Sequence, residues 1–356
     1  MQLGILGLAK AGKTTLFNLL TGSTEPTEKF AHSDRTHVAV ARVPDARLAR
    51  LRELFQPKLY TPATVEYVDI PGIERGDGSG NLDLAELRNM DALVLVVRAF
   101  SDPELIHPDG SIDARRDFEN VELELILADH EILGRRIGRL EQGKKRGLKP
   151  AEQKELALLT NRLLPALEAE QPIRDLELDA DEELSLRGFR LLTAKPLLVV
   201  LNVGEDDLQV ATAASLGLEG RPGVGVVVMS APIEAEISQL PEGEQSEFLA
   251  AIGLEEPSLD RILRTSYALL GYVSFFTVGD DEVRAWTIRS GTRAREAGGA
   301  IHSDIERGFI RAEVVDWQQL LDCGSLAEAR KVGSLRLEGK EYLVRDGEVV
   351  HFRFNV

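Results

Sequence analysis

Apolar positions along this chain change their spacing several times, and the changes mark out its elements. Residues 2–7 form a short apolar run, followed by a Gly-containing loop and then by helical spacing over Thr14 to Leu20. Further apolar runs stand at Val65 to Val68, Ala92 to Val97, Pro196 to Leu201 and Val224 to Met229, with helical or loop stretches between them. Strands spaced in this way predict an α/β fold with a mostly parallel, doubly wound sheet. A long polar interruption separates the runs at 92–97 and 196–201. Within it Val121, Leu125, Ala128 and Ile132 recur at helical spacing, as do Leu133, Ile137 and Leu140, and then Leu156, Leu159, Leu163 and Leu167. Gly143 to Pro150 supplies turn residues and four basic side chains, so the spacing predicts an antiparallel helical hairpin with a basic tip. From Ser274 onward short strands such as Arg284 to Ile288 and Val349 to Phe354 alternate with Gly-bearing turns, which predicts a separate compact domain.

The length of 356 residues exceeds what one core usually supports. The expected domains are a nucleotide-binding region over 1–116, the hairpin over 117–190, the second part of the nucleotide-binding region over 191–272, and the C-terminal domain over 273–356. A hydrophobic fraction of 43% and a charged fraction of 28% are ordinary for a soluble globular chain. No apolar run reaches the roughly 20 residues that span a bilayer. With the single cysteine, Cys323, this predicts a cytoplasmic protein without a membrane partner. The net charge of −17 argues against indiscriminate binding to DNA or RNA. Residues 272–356 carry twelve Lys or Arg against fourteen Asp or Glu, which leaves −15 elsewhere, so any RNA contact must be local.

Candidate chemistry begins at Gly7-Leu8-Ala9-Lys10-Ala11-Gly12-Lys13-Thr14, which fits G-x-x-x-x-G-K-[ST] between a strand and a helix. Amides of such a loop, from Gly7 through Lys10, Ala11 and Gly12 to Thr14 and Thr15, wrap phosphates. Lys13 reaches the β and γ oxygens, and the Thr14 hydroxyl ligates Mg2+. Asp69-Ile70-Pro71-Gly72 follows the next strand and matches D-x-x-G. Asp69 is expected to hold Mg2+ through water, and the Gly72 amide to sense the γ-phosphate. The position that carries a water-orienting glutamine in Ras is Ile73, whose side chain cannot do that work. A GTPase carries N-K-x-D after a later strand; here stands Asn202-Val203-Gly204-Glu205, with Ser230-Ala231 after the following strand as the loop backing the base. The longer acid weakens a guanine preference, but these residues alone leave ATP and GTP both open.

With these residues the chain resembles the YchF family of Obg-like ATPases over nearly its whole length. The C-terminal stretches carry the closest likeness: Phe276-Thr277, Glu282 to Ile288, Ile301-His302, Asp304, Gly308 to Glu313, Arg336 to Lys340, Asp346-Gly347 and His351 to Val356. They resemble the family's TGS domain, a β-grasp-like module. The resemblance implies ATP in preference to GTP, from Asn202 and Glu205 at the N-x-x-E motif, and a hydrophobic replacement for the glutamine at Ile73. It also implies hydrolysis to ADP, a coiled-coil insertion and association with the ribosome or its RNA. Ser101 to His107 resembles the loop whose histidine positions water, so His107 is the candidate catalytic partner of Lys13. Two stretches depart from the family. Switch I reads Glu28-Lys29-Phe30-Ala31-His32-Ser33-Asp34-Arg35-Thr36, which leaves Ser33 and Thr36 as alternative Mg2+ hydroxyls, and the run before Gly76 to Asn81 is trimmed. The expected function is a slow Mg2+-dependent ATPase switch, with a GTPase of the same fold or a non-hydrolysing nucleotide-gated adaptor as rivals.

Overall fold

A computed structural model describes residues 1–23, 36–70, 84–144 and 147–355 of the chain. Two compact units are resolved, one of Met1–Val40 with Glu66–Ile262 and one of Ala41–Val65 with Leu263–Val356.

The first unit is built on a six-stranded sheet in the order β2-β4-β1-β5-β6-β7. Its strands are β1 (Gln2–Leu6), β2 (His37–Arg42), β4 (Thr64–Asp69), β5 (Ala92–Ala99), β6 (Leu197–Val203) and β7 (Val224–Met229). β1 pairs in parallel with β4 and β5, β5 with β6, and β6 with β7. All seven residues of β6 are buried, as are all of β5 from Ala92 to Arg98, so both faces of these central strands are covered. That explains continuous apolar runs in place of alternation. β2, by contrast, alternates and exposes Val38 and Val40, as an edge strand does, and its weak apolar signal hid it in the sequence.

The polar interruption forms the expected hairpin. The first helix, Ala114–Lys144, runs 31 residues; the chain returns through Pro150–Leu158, a π-helical turn at Leu159–Leu163 and Leu164–Glu168. Leu133, Leu140, Leu156, Leu159, Leu163 and Leu167 form one buried seam between the two arms. Pro150 sits in the first turn of the return helix, where its missing N–H costs nothing, and the Lys149 N–H donates to Glu152 Oε2 at 2.8 Å. At the hairpin base, Glu122 accepts from Arg174 at 2.8 Å and Arg221 at 2.9 Å, tying the long helix to the segment before β6 and the loop before β7. Lys145 and Arg146 of the tip lie outside the described residues.

The second unit holds a mixed sheet in the order β11-β10-β12-β8-β9-β3, with β3 (Leu59–Thr61), β8 (Tyr272–Thr277), β9 (Glu282–Arg289), β10 (Phe309–Asp316), β11 (Arg336–Glu338) and β12 (Glu348–Phe354). One face buries Phe275, Ile288, Ala312, Val314, Val350 and Phe352. This unit differs from the expected division at two places: it begins at Leu263 and not at 273, and residues 41–65 group with it and not with the rest of 1–116. For residues 41–65 the reason is physical. β3 extends the sheet by pairing in parallel with β9, and Thr61 Oγ1 donates to Glu282 at 2.6 Å. Asp45 caps the helix Ala46–Phe55 and bonds Arg47, whose guanidinium lies 5.3 Å from the Phe276 ring centroid and 2.6 Å from Asp346 Oδ2.

Candidate functional site

The loop between β1 and the helix Lys13–Thr21 is shaped by its glycines. Gly7 has φ 149, and a Cβ there would lie 2.4 Å from the Val96 carbonyl oxygen of β5. Gly12 has φ 100, and a Cβ there would lie 2.5 Å from Asn202 Nδ2. Lys10 also adopts a positive φ of 62 and is exposed at the loop crest. No larger residue fits at Gly7 or Gly12 without moving backbone or Asn202. The turn therefore winds tightly and aims the first amides of the helix at the space above it.

Lys13 folds back into this loop, its Nζ donating to the carbonyls of Gly7 at 3.2 Å and Leu8 at 3.0 Å. Burial pushes its ammonium from the usual lysine range down to about 8, against the opposing pull of Asp69. Among the described residues Lys13 is a buried cation held by carbonyl dipoles and one acid, which suits it to an anion. Beside it Thr14 Oγ1 donates to Asp69 Oδ2 at 2.7 Å, which joins the helix start to the end of β4. Both are hard oxygen donors and stand together at the mouth of the loop, the donor set that Mg2+ takes, so these residues fit the ion. Thr15 occupies the same first helical turn.

Asn202 closes the loop from the other side. Its Nδ2 donates to the Ala11 carbonyl at 3.1 Å, and its Oδ1 accepts from the Ala231 N–H at 3.3 Å. One buried amide thus fixes the phosphate loop, the end of β6 and the start of the helix Ala231–Gln239. Glu205 opens a short 3-10 turn after β6 and is exposed. Ser230, fully buried before that helix, has a hydroxyl with no hydrogen-bond partner among the described residues. The buried Ser230 hydroxyl thus has hydrogen-bonding capacity to spare.

His107 is brought to a different set of partners. It is buried; its Nδ1 accepts from the Asp109 N–H at 3.1 Å, which puts the proton on Nε2, and Nε2 donates to Asp117 Oδ2 at 2.7 Å. Asp117, in the first turn of the long helix, also accepts from Arg116. His107, Asp109 and Asp117 place one ligand atom each within 4.8 Å of one another, but the Arg116 guanidinium already fills the cation's place beside both acids. The loop before His107 is held by Arg98, which donates to the carbonyls of Phe100 and Leu105. No sequence signal marked Arg98 or Asp117. Of the two switch hydroxyls, Thr36 donates to Glu86 Oε2 at 2.7 Å in the helix Leu84–Asn89, while Ser33, Gly72 and Ile73 lie outside the described residues.

Comparison with known proteins places this geometry. A family model described as a 50S ribosome-binding GTPase matches residues 2–130. The C-terminal region of YchF-type GTPases, described as a protein of unknown function, matches 272–355. The chain is 43% identical over 364 aligned positions to the ribosome-binding ATPase YchF of Bacillus subtilis, covering 99% of each chain. It is 39% identical to the protein of the same name in Escherichia coli O157:H7, again with 99% of each covered. Among solved structures, the YchF GTPase of Schizosaccharomyces pombe superposes with a TM-score of 0.87 at 32% identity, covering 99% of this chain and 97% of that one.

Proposed function

This chain belongs to the YchF family of P-loop nucleotide triphosphatases, and from that premise we propose that it is a Mg2+-dependent ATPase acting in the cytoplasm as a slow switch on the ribosome. The observation that carries the reading is the buried Lys13, hydrogen-bonded to loop carbonyls next to the Thr14–Asp69 pair. When a nucleoside triphosphate binds, Lys13 exchanges those carbonyls for β and γ oxygens. Thr14 and Asp69 would hold Mg2+, which would supply charge neutralisation for the phosphoryl group transferred to water. Amides of Gly7 to Thr15 hold the phosphates, and Gly72 is assigned the γ-phosphate contact.

Adenine is favoured over guanine because Glu205 replaces the aspartate that would accept from guanine N1–H and N2–H, and because relatives at about 40% identity are named ATPases. The Ser230 hydroxyl and Ala231 N–H complete the base side. His107 is assigned the positioning of water, which requires it to leave Asp117, so turnover is limited by that release. The matched family model and the S. pombe structure are described as GTPases, which keeps the second reading of GTP specificity alive. Competing ATP against GTP for the Mg2+-loaded protein decides between them. A clear GTP preference refutes the adenine assignment, and no single-turnover hydrolysis of either refutes the enzyme.

Ribosome association is assigned to the hairpin tip. Residues 135–149 carry seven Lys or Arg against the single Glu141 in a chain of net charge −17. Such a tip meets ribosomal RNA as a local cationic probe.

A further inference from the structure

Four non-glycine residues take a positive φ among the described residues: Lys10, Gln56, Glu170 and Arg190. Three of them end a helical segment, where the left-handed conformation is an ordinary stop. Gln56 caps the helix Ala46–Phe55, Arg190 caps the turn Arg187–Phe189, and Glu170 follows the helix Leu164–Glu168 and its cap Ala169. Lys10 is different. It precedes a helix and stands in the middle of the phosphate loop, with φ 62. Glycine or asparagine would adopt that conformation at lower cost. The loop places glycine where space forbids a side chain, at Gly7 and Gly12, yet at position 10 it carries a long, exposed, cationic one. A strained residue kept at the crest of a phosphate-binding loop points to use of its side chain.

Charge says what that use is. A triphosphate brings more negative charge than Lys13 and a divalent ion offset, and the Asp69 carboxylate, bonded to Thr14 at 2.7 Å, subtracts from that supply. Lys13 is buried and turned back on the carbonyls of Gly7 and Leu8. The position that would carry a water-orienting glutamine is Ile73, and His107 is bound to Asp117. During transfer the phosphoryl group spreads its charge over its peripheral oxygens, and catalysis consists largely of positioning and of cations that meet that charge. Lys10 carries its ammonium on a flexible four-carbon stem from the solvent side of the same loop whose amides wrap the phosphates. It is the second cation of the loop, and the exposed one.

We propose that the Lys10 side chain is a further catalytic residue, whose ammonium contacts the γ-phosphate and stabilises the charge of the transferring phosphoryl group. It acts as an arginine finger does, but from within the phosphate loop. The ammonium makes and breaks no covalent bond and keeps its proton throughout. Its contact strengthens as charge builds on the peripheral oxygens, so it lowers the barrier more than it tightens the bound nucleotide. The proposal rests on the nucleotide-hydrolysis reading above and gives a side-chain role to a residue that otherwise offers the phosphates only its amide.

The test uses the full-length chain with Mg2+ and compares wild type with Lys10→Gly, Lys10→Met and Lys10→Arg in nucleotide titration, single-turnover hydrolysis and thermal melting. Lys10→Gly removes the ammonium and adopts φ 62 without strain, so it should melt no lower than wild type while hydrolysing about 100-fold more slowly. Its ATP affinity should change by no more than about threefold. Lys10→Met keeps the bulk and should lose the same rate, while Lys10→Arg, which keeps the charge, should stay well above both. Ethylammonium chloride should restore part of the Lys10→Gly rate, and choline chloride at equal ionic strength, which has no N–H to donate, should not. A lysine that only shaped the loop would give no such rescue. A Lys10→Gly or Lys10→Met rate within about threefold of wild type overturns the proposal, as does a loss of affinity as large as the loss of rate, which marks uniform binding. If wild type hydrolyses neither ATP nor GTP, the enzyme reading and this role fall together. If wild type hydrolyses either one and the variants keep its rate, the role of Lys10 falls alone.

Discussion

Replacing Lys13 by methionine should make the nucleotide-free protein more stable and the nucleotide-binding protein useless. In the fold the ammonium titrates at about 8, against 10.5 for an unburied lysine, chiefly because burial strips its water. A drop of that size corresponds to ~3 kcal/mol of penalty on the charged form. Carbonyl hydrogen bonds from Gly7 and Leu8 offset about 1 kcal/mol each, and methionine fills the same volume. The variant should therefore gain about 1 kcal/mol at pH 7, a rise in Tm of roughly 2–4 °C. The pH dependence has a definite sign. Below pH 8 folded and unfolded chains both carry the proton, and the full penalty is present. Between about 8 and 10.5 the native amine releases its proton first, so wild-type stability rises with pH and the advantage of the variant shrinks. Differential scanning calorimetry of both proteins from pH 6.5 to 10 reads this directly. On the ligand side, losing contacts to two phosphate oxygens at about 1.5–3 kcal/mol each should weaken ATP by at least ~100-fold in isothermal titration. A variant that melts well below wild type at pH 7, with a gap indifferent to pH, refutes the account of Lys13 as a cation held at a cost for a phosphate.

Gly12→Ala, with φ 100 and a Cβ 2.5 Å from Asn202 Nδ2, should cost about 2 kcal/mol or more and abolish ATP binding, seen in melting curves and titration. Asn202→Ala leaves the Ala11 carbonyl and Ala231 N–H unpaired, so a loss of ~1–3 kcal/mol with weakened ATP binding is expected; unaltered affinity would remove its bridging role. Reversing Lys144 and Lys149 to Glu should reduce ribosome cosedimentation, most visibly at low salt, while ATP titration stays at the wild-type value. Arg47→Ala should lower denaturant stability of the second unit by about 1–2 kcal/mol, a modest figure because its partner Asp346 is half exposed; no change would mean residues 41–65 dock by β3 alone.

The linear sequence determined those features that depend on neighbours in the chain. The phosphate loop was legible because its glycines, lysine and threonine must follow one another within eight residues. Central strands were legible because burial on both faces forces unbroken apolar runs, as in β5 and β6. The hairpin was legible because its seam repeats at helical spacing. Tertiary structure alone decided what depends on residues far apart. The Asn202 amide meets Ala11 across 191 positions, and Arg47 meets Asp346 across 299. No local pattern could assign residues 41–65 to the C-terminal unit, since β3 is three residues long and is stabilised by a strand more than 200 positions away. The resemblance offers His107 as a loop histidine that positions water, and only the fold placed Asp117, an acid with no distinguishing pattern, against its Nε2. Side-chain chemistry is written in the sequence, but which group meets which is set by packing, because hydrogen bonds and ion pairs act over ångströms and not over residue numbers.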